Sequence, residues 1–194
     1  MRVFVAIPLP AHLKANLVAL QQEFRPVPLA ATWVREAGFH VTVKFLGDVD
    51  SSQIKSIISC LATTAQHCHP FSLLLAGVGV FPHESSPRVL WVGVQDIGGD
   101  LRHMQQALDA HLMQVGFPPE NRPSAPHLTL ARVKRILRRG DFLAALKLHR
   151  ETVVGQLDVG HIELMESRLH PSGARYSTVH TAPFLRTAAT TEGG

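Results

Sequence analysis

Two short segments of the sequence share a pattern of histidine and threonine that could carry out acid–base chemistry. The first is Phe39-His-Val-Thr-Val-Lys-Phe-Leu-Gly47, and the second is Pro126-His-Leu-Thr-Leu-Ala-Arg-Val133. Histidine accepts or donates a proton near neutral pH, and threonine hydroxyls donate hydrogen bonds. Two such segments across one cleft would supply a general base, a general acid and two hydrogen-bond donors, which suits chemistry on a phosphate.

The alternation of polar and apolar residues in both segments predicts half-buried β-strands. Because successive side chains of a strand point to opposite faces, one face of the first strand is predicted to carry His40, Thr42 and Lys44. The other face is predicted to pack into the core with Val41, Val43 and Phe45. In the second strand, the corresponding sets are His127 with Thr129, and Leu128 with Leu130.

A single histidine in a strand is more often structural than catalytic, but the repetition of the pattern favours a paired site. The second histidine follows the first by 127 − 40 = 87 positions, and the same offset relates Phe4–Ile7 to Trp91–Val94. We interpret this as an internal duplication. The sequence therefore predicts two similar lobes, each with a β-α-β-α-β order.

The predicted elements of the two lobes follow the same order. The first lobe contains a strand at Val3–Ile7, a helix at Ala11–Phe24, a short extended piece at Thr32–Val34, the first motif strand, a helix capped by Ser51 or Ser52, and a strand at Phe71–Phe81. The second contains a strand at Val89–Val94, a helix from Gly98 to about Val115, the second motif strand, a helix at Arg139–Arg150, and a strand at Val159–Met165.

Proline-flanked residues 82–87 are the predicted boundary between the lobes. We expect one bilobal domain over 1–185, with lobe one at about 1–82, lobe two at about 87–165 and a closing segment at 166–185. That segment is predicted to hold a loop over 166–173 and a strand over 174–180, and residues 186–194 are predicted to be a flexible tail.

The composition favours a soluble protein with an anionic partner. Nineteen Lys and Arg residues stand against fifteen Asp and Glu, a formal net charge of +4, which favours anions. A basic turn is predicted just after the second motif, where it could meet a nucleic-acid backbone; its residues are Arg132, Lys134, Arg135, Arg138 and Arg139.

The two cysteines, Cys60 and Cys68, form no disulfide or zinc-ribbon pattern. Two histidines flank Cys68 but lack the carboxylate set that would strengthen a metal hypothesis. Met1 leads directly into the first strand without a signal peptide, and the longest apolar run, 71–81, is too short to span a bilayer. We therefore expect a cytoplasmic protein.

The two motifs resemble those of the two-histidine phosphoesterase superfamily, and specifically its bacterial and archaeal RNA 2′,3′-cyclic phosphodiesterases, once called 2′-5′ RNA ligases. The resemblance rests on His40-Val-Thr-Val-Lys-Phe-Leu-Gly47 and on His127-Leu-Thr-Leu130 with Arg132. It extends over nearly the whole chain, through Arg2–Pro8, Trp33-Val34, Arg88–Trp91, Glu166–Leu169, Gly173 and Tyr176.

The resemblance implies a bilobal α+β fold in which two pseudo-symmetric lobes place antiparallel sheets around a central cleft. It implies hydrolysis of a terminal 2′,3′-cyclic phosphate of RNA to a 2′-phosphomonoester, weak reversible 2′-5′ ligation, and tRNA fragments as substrates. It implies no metal and no organic cofactor. We expect a monomer.

The resemblance also assigns roles to particular residues. His40 and His127 are the expected acid–base pair, Thr42 and Thr129 are expected to bind the phosphate, and Arg132 is a further phosphate contact. Strict alternation would turn Arg132 toward the core, so a bulge or the strand end must turn it to the cleft. The candidate RNA contacts are Trp33, Lys44 and Tyr176.

Two other functions remain open at this stage. An RNA-binding module without turnover could use the basic turn and exposed aromatic residues such as Trp33 and Tyr176, but it would have no need for two matched His-Thr pairs. Alternatively, the same catalytic site could act on a small cyclic nucleotide. The sequence does not show which histidine is the base.

Overall fold

The computed structural model of the protein describes residues 1–119, 125–170 and 174–185. The predicted tail, the end of the predicted loop at 171–173, and Gly173 lie outside the described residues. Within them the chain forms nine strands and four α-helices: β1 (Arg2–Pro8), α1 (Ala11–Phe24), β2 (Leu29–Trp33), β3 (His40–Asp48), α2 (Ile54–Ala65), β4 (Phe71–Phe81), β5 (Val89–Gln95), α3 (Asp100–Met113), β6 (His127–Ile136), α4 (Arg139–His149), β7 (Val153–Val159), β8 (His161–Arg168) and β9 (Arg175–Pro183).

The strands in the described ranges form two antiparallel sheets, which confirms the predicted α+β class. The first sheet has the order β3-β1-β8-β9, and the second has the order β2-β6-β5-β4-β7. The motif strands β3 and β6 thus belong to different sheets, and they contact each other where the sheets meet.

The two halves of the sequence exchange elements between the sheets. Strand β4, from the first half, pairs with β5 and β7, whereas β8, from the second half, pairs with β1. The helices follow the same exchange, since α1 contacts β7 and α3 packs against α2. The boundary at 82–87 therefore separates two sequence repeats, while each sheet contains strands from both.

The helices form where apolar residues recur at three-to-four spacing. Helix α1 has the predicted bounds and buries Leu13, Leu17, Leu20 and Phe24. The predicted cap of α2 is wrong: Ser51 begins a 3-10 turn, and the backbone N–H of Asp50 donates to Oε1 of Gln53 in a capping box.

No helix in the described part of the chain has the length and apolarity to cross a membrane.

The predicted ends of several strands need correction. Strand β6 continues to Ile136, so the basic residues 132–135 lie on a strand and not on a turn. The single strand expected at Val159–Met165 is two strands, β7 and β8, in different sheets. Strand β7 was missed because Gly155, with a φ of 150°, interrupts its apolar alternation. Strand β8 continues to Arg168, so the first three residues of the loop predicted over 166–173 lie on a strand.

Candidate active site

The His-x-Thr segments begin the motif strands, and their first three residues face as the alternation predicts. His40 and Thr42 are half-buried on β3, with Val41 fully buried between them. His127 and Thr129 are half-buried on β6, with Leu128 fully buried. The apolar residue of each motif anchors the strand in the core, and the polar pair is left on the other face.

Each motif strand contains a β-bulge one residue after the threonine. In β3, Thr42 lies opposite Ala6 and Lys44 opposite Val5, so Val43 is the inserted residue. In β6, Thr129 lies opposite Trp91 and Ala131 opposite Leu90, so Leu130 is inserted. An inserted residue shifts the alternation of all residues that follow it.

The bulge in β6 moves the side chain of Arg132 from the core face of the strand to the histidine face. Leu130 and Ala131 are both fully buried, Arg132 is exposed, and Val133 is buried again. Arg132 therefore returns to the face of His127 and Thr129. We expected that either a bulge or the strand end would turn Arg132 out of the core, and the bulge at Leu130 does so.

The bulge in β3 makes the predicted facing of Lys44 and Phe45 wrong. Lys44 is only 4% exposed; its Nζ atom donates to Oδ1 of Asp109 and to the carbonyl of Pro118. Phe45 is 60% exposed, and its ring lies 5.9 Å from that of Phe4 on the histidine face. Lys44 is thus a structural ion-pair residue, away from the place expected of an RNA contact.

A glutamine side chain is hydrogen-bonded to each bulge. In both cases the glutamine belongs to the other sequence repeat, on the helix that follows the first strand of that repeat. The Nε2 atom of Gln105, on α3, donates to the carbonyl of Val43 at 3.2 Å. The Nε2 atom of Gln21, on α1, donates to the carbonyls of Leu130 at 2.9 Å and Val34 at 2.8 Å. These two residues were not singled out from the sequence, because the bulges that explain them are visible only in the strand register.

Aromatic rings flank both histidines. The His40 ring lies 4.8 Å from that of Phe4 and 4.9 Å from that of Tyr176. The His127 ring lies 4.9 Å from Phe81 and 6.5 Å from Trp91. The structure therefore places Tyr176 beside the first histidine, and its expected role as an RNA contact stays a prediction. Both imidazoles therefore make edge or tilted contacts with aromatic rings.

Trp33 does not lie on the histidine face. It is opposite Ala131 in the β2–β6 ladder, and Ala131 is fully buried on the core side of β6. Its ring packs against the core, with the guanidinium of Arg25 at 5.0 Å from its centre. The expectation of an RNA contact from Trp33 is not supported by this placement.

The two imidazoles differ in their hydrogen bonds and in their surroundings. Nδ1 of His127 lies 3.0 Å from the carbonyl of Ala125, so Nδ1 carries a hydrogen and Nε2 is left for chemistry. Nδ1 of His40 is buried and has no hydrogen bond of normal length and angle to any described residue. Burial, assisted by the charge of Lys14 and opposed by the backbone of Gly38, lowers the pKa of His40 to about 4.

The metal alternative gains no support from its residues. His67 Nδ1 is bonded to the carbonyl of Thr63, and burial raises the pKa of the neighbouring Cys68 thiol. No group of three or more His, Cys, Asp or Glu side chains in the described ranges is arranged to hold a metal ion.

The chain matches known phosphoesterases over almost its whole length. The model of the LigT-like phosphoesterase family matches twice, at residues 7–91 and 92–176. The RNA 2′,3′-cyclic phosphodiesterase of Methanocaldococcus jannaschii is 31% identical over 179 residues, which cover 92% of this chain and 98% of the relative. The protein of the same name from Aeropyrum pernix is 33% identical and covers 76% of this chain and 82% of its own.

Solved structures show the same fold. A crystal structure of a Thermus thermophilus protein is similar with a TM-score of 0.81 at 27% identity, covering 95% of this chain and 98% of the other. E. coli LigT, crystallised with 3′-AMP, is similar with a TM-score of 0.77 at 24% identity, covering 94% and 97%. The family match assigns one copy to each half of the sequence, as the duplication predicted. The chain belongs to the LigT-like phosphoesterase family.

Proposed function

We propose that the protein hydrolyses the terminal 2′,3′-cyclic phosphodiester of RNA to a 2′-phosphomonoester, with His40 and His127 as the acid–base pair. The observation that carries the proposal is the doubled motif: two His-x-Thr strands with bulges at equivalent positions, in two sheets that touch along those strands. The names of the relatives agree with this substrate.

The surroundings of the histidines suggest their roles. A general base must be neutral to accept a proton, and burial keeps His40 neutral by lowering its pKa to about 4. Its Nδ1 atom is buried, so Nε2 is the atom that can accept a proton. His127, whose Nδ1 donates to Ala125, presents Nε2–H as the acid when protonated.

The proposed step balances as an in-line displacement. The oxygen of a water molecule forms a bond to phosphorus while His40 takes a proton from it. The bond between phosphorus and O3′ breaks, and O3′ takes the proton of His127, which leaves a 2′-phosphomonoester and a free 3′-hydroxyl. Exchange with solvent then restores both imidazoles. Each proton transfer is worth about 10²–10⁴ in rate.

The non-bridging phosphate oxygens need donors of their own. Thr42 and Thr129 stand two residues after the histidines on the same faces, and the bulge adds the Arg132 guanidinium to the second face. Such donors stabilise the charge that develops on phosphate in the transition state. Acid, base and charge stabilisation can all be named from this chain, so we propose that no metal is required.

The test is product analysis with a short RNA that ends in a 2′,3′-cyclic phosphate, incubated with the protein in excess chelator. We expect a 2′-phosphate product, and we expect His40→Ala and His127→Ala each to lose about 10²–10⁴-fold in turnover. A 3′-phosphate product would contradict the assignment of O3′ as the leaving group. Loss of turnover in chelator, restored by zinc or magnesium, would contradict the metal-free mechanism.

The alternatives are separated by the same assay. A binding module would retain the RNA without converting it, and Trp33, an aromatic contact that such a module could use, is half-buried against the core. A small cyclic nucleotide as the preferred substrate would be turned over faster than the RNA. Reversible 2′-5′ ligation, tRNA fragments as substrates, a monomeric state and a cytoplasmic location stay predictions from the sequence.

A further inference from the structure

The two histidines have different neighbours across their sheets. In the first sheet Pro8 lies directly opposite His40 and Ala6 lies opposite Thr42. In the second sheet Gly93 lies opposite His127 and Trp91 opposite Thr129. The residues opposite the two histidines, Pro8 and Gly93, are therefore 93 − 8 = 85 positions apart, whereas the histidines themselves are 87 apart. The first strand of each repeat thus pairs with its motif strand in a register that differs by two residues. As a consequence, a glycine leaves space beside His127 at the position where a proline ring stands beside His40.

Trp91 lies over a second glycine on the neighbouring strand. Gly79 is opposite Trp91 in the β4–β5 ladder, and a Cβ atom added at Gly79 would lie 2.4 Å from the six-membered ring of the indole. The ring is held by packing, since it contacts Phe81 at 5.0 Å and its Nε1 atom is buried with no acceptor among the described residues. The absence of a side chain at Gly79 is therefore what lets the indole lie across the sheet.

These residues line a groove of about 700 Å³ along β4 and β5. Its lining includes three glycines, Gly77, Gly79 and Gly93, and the indole of Trp91, which lies close to Gly79 and Gly93. The polar residues of the lining include His83, Glu84 and Arg150. Its lining also includes Ala125 and Pro126, the two residues that precede His127. The groove is therefore continuous with the second histidine motif and lies on its face of the sheet.

We propose that this groove is the subsite for the terminal nucleoside of the substrate, with the base stacked on the indole of Trp91. This inference rests on the proposed function. In the reaction the leaving atom, O3′, belongs to that nucleoside and must lie beside the acid, His127. The ribose and its base must then lie on the His127 side of the phosphate, where the groove opens, and the attacking water comes from the side of His40.

The size and surface of the groove suit this ligand. A volume of about 700 Å³ falls within the range of about 300–1,000 Å³ of small-molecule sites. Stacking on an aromatic ring tolerates any base, because every base has a π-face. The competing place for the base is Phe45, which is the exposed aromatic residue on the histidine face of the first sheet.

The experiment compares two small substrates: adenosine 2′,3′-cyclic phosphate, and the cyclic phosphate of a 1-O-methyl riboside, which has no base. The readout is the ratio of kcat/KM for the first over the second. We expect Trp91→Leu to lower this preference about 10- to 100-fold, the usual worth of a base–aromatic stack. Phe45→Leu, on the other sheet, should leave the preference unchanged.

A second variant acts on the indole without removing it. Gly79→Ala places a methyl group where the ring lies, so the ring must tilt, and the preference should fall in the direction of Trp91→Leu. The matched control is Gly140→Ala, because a Cβ at Gly140 meets nothing within 4 Å. An equal loss on both substrates would overturn the proposal, since Trp91 would then act only by supporting His127. A loss of preference in Phe45→Leu alone would also overturn it.

A binding measurement separates failure of the subsite from failure of the proposed function. In a Trp33→Phe background, Trp91 is the remaining tryptophan, and adenosine 2′-monophosphate should quench its fluorescence. Ribose 2-phosphate, which has no base, should compete for the site without quenching. If neither cyclic substrate is turned over but the nucleotide quenches, the function fails and the subsite stands. If turnover is present and the nucleotide binds without quenching, the subsite is wrong.

Discussion

At the scale of single residues, the equivalent histidines are distinguished by what surrounds them. Both imidazoles have aromatic neighbours, but Pro8 lies opposite His40, whereas Gly93 lies opposite His127 beside a groove. A positive charge on the imidazole of His40 would be buried without a partner, so burial favours the neutral form of this histidine. This difference is the basis for the direction that we propose for a site that looks symmetric in the sequence.

The depressed pKa of His40 predicts the acid limb of the pH–activity profile. Because His40 must be neutral to act as the base, kcat/KM should rise as pH passes through about 4. Lys14→Gln removes a positive charge that lowers this pKa, so the acid limb should move to higher pH. Lys55→Gln, an exposed change that is not among the causes of the shift, is the control. An acid limb that stays in place in Lys14→Gln would contradict the assignment of the limb to His40.

The same pKa predicts how His40 affects stability. Its pKa is about 4 in the folded chain against 6.5 in the unfolded chain, so between these values the unfolded state binds the extra proton. Stability from His40 is therefore present above pH 6.5 and is lost as pH falls toward 4, by at most about 3 kcal/mol. Urea titrations of the wild type and His40→Gln from pH 7 to 4 should show a steeper loss in the wild type. Parallel curves would mean that the imidazole is hydrated in the folded state.

At the scale of secondary-structure elements, the site residues are oriented by the two bulges and by the helices that are hydrogen-bonded to them. The inserted residues Val43 and Leu130 lie 87 positions apart, and each carbonyl accepts a hydrogen bond from a glutamine of α3 or α1. These bonds fix the strand immediately after Thr42 and Thr129. The helices therefore support the strands at the two threonines that we propose as phosphate donors.

Replacement of these glutamines should reduce activity as well as stability. Gln21→Met removes two bonds, one of them buried, and should cost about 1–3 kcal/mol of unfolding free energy, while Gln105→Met removes one longer bond and should cost less. Both should lower kcat more than they raise KM. The control is Asn16→Leu, which removes a hydrogen bond from α1 to the carbonyl of Val154 on β7, a strand that carries neither histidine motif. If Asn16→Leu lowered kcat equally, the loss would reflect general destabilisation.

The elements themselves could be predicted from the sequence, but the bulges could not. The bounds of α1 and β4 follow from apolar spacing and flanking turn residues, and so does the outward facing of His40. The predicted faces of Lys44 and Phe45 are wrong because the inserted residue Val43 reverses the alternation of the residues directly after it. A bulge is set by the partner strand and by Gln105, which lies 62 residues away in the sequence, so local patterns contain no sign of it.

At the scale of the whole molecule, the exchange of strands and helices makes the two halves depend on each other. Strand β4 has its partners β5 and β7 in the second half, and β1 has its partner β8 there. The sequence showed the duplication but not this exchange, since both arrangements of a repeat have the same local patterns. Only the strand pairing distinguishes them.

The exchange predicts that neither half folds alone. Fragments 1–86 and 87–194 would each expose unpaired strand edges and an uncovered apolar face, so neither should unfold cooperatively on heating. Mixed in equal amounts, they should associate and regain cooperative unfolding together with cyclic phosphodiesterase activity. Circular dichroism melts of each fragment and of the mixture measure this. Cooperative unfolding of fragment 1–86 by itself would show that the first repeat is an independent lobe.

The intertwined repeat also explains why two copies in one covalent chain are more useful than two identical copies held together by association. In a symmetric homodimer, any residue chosen for one side of the axis must appear on the other side as well. Here position 45 is an apolar ring while its counterpart, position 132, is a cation, and Pro8 stands beside one histidine where Gly93 stands beside the other. Covalent linkage of the repeats releases them from that constraint, and the mechanism that we propose uses this freedom, with one half specialised for the entering water and the other for the departing ribose.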